Sequence, residues 1–134
     1  MVTSAEYYNE ALKKGKSDYL ENGRLPFLEE ILKDEEIVSN INLGIMDIPL
    51  KKIVGTYSHL RSICFSNNFM PILDDNTEFR MKWMSLCDSH LNEGINHPIK
   101  VYEYLNKFYV IEGNKRVSIL KFFGSFSMFG EVIR

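Results

Sequence analysis

A chain of 134 residues, 45% hydrophobic and 25% charged with a formal net charge of −2, has a globular composition and enough length for one hydrophobic core. No apolar run approaches the roughly 20 residues that span a bilayer, and the start at Met1–Glu6 has neither the basic nor the apolar region of a signal peptide, so the expected location is cytoplasmic. Residues 1–36 carry nine acidic and five basic side chains and residues 37–134 nine acidic and eleven basic. This predicts an acidic arm at −4 and a body at +2, too weakly basic for the footprint that duplex DNA selects.

In chain order, Ser4 predicts the cap of a helix over residues 5–14 that ends at Gly15, with Tyr8, Ala11 and Leu12 on one stripe. Pro26 suits the first turn of a second helix through Lys33, in which Phe27, Leu28, Ile31 and Leu32 keep the 3.6 period. These helices make up the arm, 1–36, and the body follows as 37–134. Asp47 to Thr56 reads as a short strand and turn, and Asn67 to Pro71 as an ordered loop. Asp75-x-x-Glu78 is a capping-box pattern opening a helix whose Phe79, Trp83, Leu86, Cys87 and Leu91 share a face, with Trp83 in the core. That helix closes at Gly94, a strand opens after Pro98, and a hairpin turns at Asn106. A last helix packs Val117, Leu120 and Phe123 before Gly124, and a final strand includes Val132 and Ile133. The sum is an α+β fold, a small mixed sheet flanked by helices.

The stretch Tyr109 to Lys121 carries the chemistry. An apolar strand runs into Gly113-Asn114 and out into a helix that begins with Lys115 and Arg116. Unpaired N–H groups and the positive end of a helix dipole attract anions at such a point. Two cations there are unfavourable by about 0.3–1 kcal/mol each unless something anionic joins them. The spacing is neither a Walker loop nor G-x-G-x-x-G. A phosphate site and a plain left-handed turn with solvated cations both remain open. Glu112 is a candidate Mg²⁺ ligand or catalytic base, against the alternative of a rim carboxylate paired with Lys115 or Arg116. Ser118 either offers its hydroxyl to phosphate or fills a helix turn. His59, His90 and His97 have no metal-ligand spacing with one another or with Cys64 and Cys87, so no metal site is expected and the two cysteines read as buried thiols.

The run from Glu93 through Gly124, "EGINHPIKVYEYLNKFYVIEGNKRVSILKFFG", resembles the ParB/sulfiredoxin superfamily, with Gly94, Pro98, Ile99, Val101, Tyr109, Val110, Gly113, Arg116 and Leu120 in matching places. The resemblance implies a nucleotide-phosphate cradle at Gly113, Asn114, Lys115 and Arg116. Arg61 enters where partition proteins carry an arginine on the nucleotide side. The ligand implied is a nucleoside triphosphate with Mg²⁺, and any activity implied is slow hydrolysis or phosphotransfer. Sulfiredoxin turns carry a nucleophilic cysteine where this chain has Asn114 and Lys115, so sulfinic-acid reduction is not expected. Partition proteins add DNA-binding segments after the region matched here. "EYYNEALKKGKSDYLENGRLPFLEEIL" and the later strings through Phe123 are also similar to the amino-terminal region of larger bacterial proteins, in which a ParB-like segment precedes a substrate-binding domain of the basic-membrane-protein type. That implies a fragment of a longer chain, acting on an attached C-terminal domain or a protein partner. The alternative is an interaction scaffold that contacts a protein or DNA backbone without nucleotide.

Overall fold

Leu105 and Asn106 both take positive φ, 51° and 64°, the mirror-image turn whose twist suits a two-residue hairpin. They join β3 (Ile99–Tyr104) to β4 (Lys107–Glu112), paired antiparallel from Tyr104–Lys107 to Lys100–Glu112. Parallel neighbours flank this hairpin, β5 (Ser127–Ile133) beside β3 and β2 (Ile53–Thr56) beside β4. An outer strand, β1 (Asn42–Pro49), lies antiparallel to β5 and gives the order β1-β5-β3-β4-β2. The expected α+β fold with a small mixed sheet is therefore present. The computed structural model describes residues 2–33, 40–74 and 76–134. β1 begins at Asn42, five residues before the expected strand, because it extends along β5 to the Ile41–Arg134 backbone bonds.

The helices pack against the sheet through residues at helical spacing. In α4 (Thr77–Asn92), Phe79, Trp83 and Cys87 are buried as expected, Leu86 is half-buried and Leu91 is exposed. Its cap is Asn76, whose side chain accepts the Phe79 N–H at 2.9 Å; the expected cap Asp75 lies outside the described residues. α5 (Asn114–Phe122) buries Val117, Ile119 and Leu120, and Gly124 at φ 73° follows its end.

The N-terminal helices depart from expectation. α1 runs from Ser4 to Asn22 without stopping at Gly15, and its cap is Thr3, whose hydroxyl accepts the Glu6 N–H. Gly15 sits where a Cβ would come 2.0 Å from the Pro71 carbonyl oxygen, so glycine is required there by close approach and not by a helix end. Tyr8 and Ala11 are fully buried, and the Tyr8 ring meets Trp83 edge to face at 5.4 Å. Leu25 joins the same core ahead of the single-turn α2 (Leu28–Leu32), which is shorter than the helix expected from Pro26 to Lys33. The apolar face of the acidic arm packs into the body's core, and the boundary at residue 36 lies outside the described residues.

Candidate anion-binding cleft

β4 ends at Glu112, and the chain reverses at Gly113 with φ 108° and ψ 24°. That left-handed conformation favours glycine, and a Cβ there would also stand 2.4 Å from Ile99 Cγ2 on β3. Turn and strand are therefore locked together. No side chain caps α5, so its first N–H groups lack a side-chain acceptor. They border a cleft of about 450 Å³ to which Gly113, Asn114 and Lys115 contribute.

Besides Arg116, three cations line this cleft, each from a different helix. Arg61 comes from α3 (His59–Ser62), Lys82 from α4 and Lys115 from α5. Lys115 is half-buried, its ammonium 5.0 Å from the centroid of the Phe79 ring. Burial pushes its pKa down, and the charges of Arg61 and Lys82 push the same way. Lys82 pairs with Glu78 at 2.9 Å on the exposed rim. Among the described residues, Arg61 and Lys115 have no ion-pair partner. Phe65, Phe79 and Leu86 supply apolar wall. Asn114 is 7% exposed, and its Oδ1 is buried without a hydrogen-bond partner. Cys64 also lines the cleft, half-exposed; burial raises its thiol pKa against the lowering effect of Lys115 and Arg61.

Arg116 is used differently. Nη2 donates to both Glu112 oxygens at 2.6 and 2.7 Å, and Nη1 donates to the carbonyls of His97 and Pro98 at 3.0 and 3.3 Å. The guanidinium ties the start of α5 to the segment entering β3, and Glu112 takes the rim-pairing role. Ser118 is fully buried, accepts the Trp83 indole N–H at 3.0 Å and does not reach the cleft, because α5 turns it toward α4. Gly113, Asn114, Lys115, Arg116, Glu112 and Arg61 are thus brought together, and Ser118 is not. Lys82 was missed. It stands three residues after Phe79 and four before Leu86, a spacing that places it on the face of α4 bordering the cleft. Among the described residues no group of three metal-capable side chains is assembled.

The fold and cleft define an α+β domain with a cationic hollow at the start of its last helix. No family model and no curated protein matches the chain. The structure is similar to the crystal structure of sulfiredoxin from Arabidopsis thaliana, with 23% identity, 66% of this chain and 82% of that one covered, and a TM-score of 0.45. No helix of the described residues is long and apolar enough to cross a membrane.

Proposed function

We propose that this chain is a nucleotide- or phosphate-binding regulatory module whose ligand phosphates sit at the Gly113–Arg116 turn. The observation that carries the reading is the meeting of Lys115, Arg61 and Lys82 in a concave cleft at an uncapped helix N-terminus. Lys115 is half-buried, and the neighbouring charges of Arg61 and Lys82 disfavour its ammonium further, so an anion entering the cleft lowers the energy of the site. A hollow of about 450 Å³ is of nucleotide size. In this reading Lys115 and Arg61 contact phosphate oxygens, the backbone N–H groups of residues 114–116 cradle them, and Arg116 holds the turn in shape. For a triphosphate with Mg²⁺, Glu112 is the nearest carboxylate at the turn; slow hydrolysis or phosphotransfer is the activity to assay.

In this reading the module works in the cytoplasm and passes its signal to an attached substrate-binding domain, the arrangement that the resemblance to larger bacterial proteins implies. The scaffold reading draws support from Ile45 on the edge strand β1 and Phe129 on its neighbour β5, apolar side chains 64% and 55% exposed away from the cleft.

A thermal-shift panel of ATP, ADP, CTP, GTP, serine and inorganic phosphate, each with and without Mg²⁺, separates the two. A ligand at about 100 times its Kd adds roughly 2.7 kcal/mol. A nucleotide should raise the melting temperature of the wild-type chain and have little effect on Lys115→Ala. No shift with any nucleotide would transfer the conclusion to the scaffold.

A further inference from the structure

Away from the cleft, α5 places a second lysine in an unusual setting. Lys121 lies in its last turn and lines a separate hollow of about 220 Å³ with Lys14, Asp18, Asn68, Met70 and Phe122. Among the described residues its ammonium makes no ion pair and no side-chain hydrogen bond; it lies over the face of Phe69, 5.3 Å from Nζ to the ring centroid. Phe69 is fully buried. The two charged groups facing the hollow are both engaged. Asp18 accepts from Asn22 and from the Asn68 N–H, each at 2.8 Å, and Lys14 lies over Phe122 and pairs with Glu10 at 3.8 Å.

From this geometry we infer that Lys121 is an acyl-acceptor site, modified by small activated acyl donors such as acyl phosphates or thioesters. The amine lone pair attacks the acyl carbon and an N–C bond forms. The bond from that carbon to the phosphate oxygen or thiol sulfur breaks, the leaving group departs with the electron pair, and the amine proton passes to it or to water. The product is a neutral amide, so the desolvation that penalises the ammonium is removed. Burial pushes the Lys121 pKa down to about 8. About a tenth of the amine is then nucleophilic at pH 7, against a few parts in ten thousand for an ordinary lysine. The lower basicity and partial burial of the amine offset part of that gain.

The test is acetylation of the full chain by acetyl phosphate, with initial rates at each lysine read by peptide mapping and mass spectrometry. Lys121 should react about tenfold faster at pH 7 than the exposed Lys51 and Lys107, and the ratio should fall steadily with rising pH and drop below one by about pH 11.5, where ordinary lysines are also mostly neutral and only the lower basicity and burial of Lys121 remain. Unfolding in urea should abolish the preference. A ratio of one or less at pH 7, a ratio independent of pH, or a preference that survives unfolding would each overturn the inference.

Discussion

Lys115 and Arg116 are adjacent in sequence, and the structure gives them opposite roles. Lys115 is half-buried beside Arg61 and Lys82 and makes no ion pair among the described residues, whereas Arg116 makes four donor contacts with Glu112, His97 and Pro98. Their substitutions should therefore separate ligand binding from stability. Lys115→Ala should weaken phosphate or nucleotide binding by about 1.5–3 kcal/mol, the loss for a charge-assisted bond, and leave chemical denaturation unchanged or slightly improved. Calorimetry finding equal affinity in the variant would remove Lys115 from the site. Arg116→Ala should instead lower unfolding stability by about 1–3 kcal/mol, since two carbonyls lose a donor in a partly buried position. Glu112→Gln should cost less than about 1 kcal/mol, because the carboxylate is largely exposed. Urea titrations showing the reverse order for Arg116→Ala and Glu112→Gln would mean that the ion pair, not the carbonyl contacts, anchors the turn.

Among the elements, the segment from β3 to α5 was legible in the sequence and α1 was not. Alternating apolar residues, the Leu105-Asn106 turn and Gly113 act through local backbone preference, so strand, turn and helix could be read from neighbours alone. Gly15 looked like a helix stop because the same residue also ends helices; what decides its role is Pro71, 56 positions away in the chain, and no local signal carries that contact. Ser118 was ambiguous for a related reason. Only the approach of Trp83 from α4 selects core over site. Two consequences follow at this scale. Gly15→Ala should destabilise by at least about 1–3 kcal/mol, the range for overpacking, although alanine is the better helix former. A neutral or stabilising result by urea denaturation would mean that α1 stands further from Pro71. Deleting residues 1–22 removes Tyr8 and Ala11 from the core, exposing Trp83 and Phe79, and should abolish the cooperative melt. A truncated chain with a sharp transition would restore the arm as a separable extension.

For the whole molecule, the acidic balance suggested where not to look for partners, while the cleft emerged only when Arg61, Lys82 and Lys115 were folded together from three helices. The same folding sets the protein's response to alkali. Lys121 falls to about 8, below its ordinary value, so the unfolded chain binds more protons between pH 8 and 10.5 and stability rises through that window. Tyr8 and Cys87 move the other way, to about 12 and about 11, both mainly by burial, so the stability they contribute is full below their ordinary values and is lost as the pH climbs above them. The wild-type urea midpoint should accordingly rise from pH 7 to pH 9 and fall again above about pH 10. Lys121→Met removes the buried charge and should be more stable than wild type at pH 7. Its midpoint should lack the rise toward pH 9 and keep the alkaline fall. Parallel midpoints for the two proteins from pH 7 to pH 9 would show that Lys121 titrates as a solvated lysine.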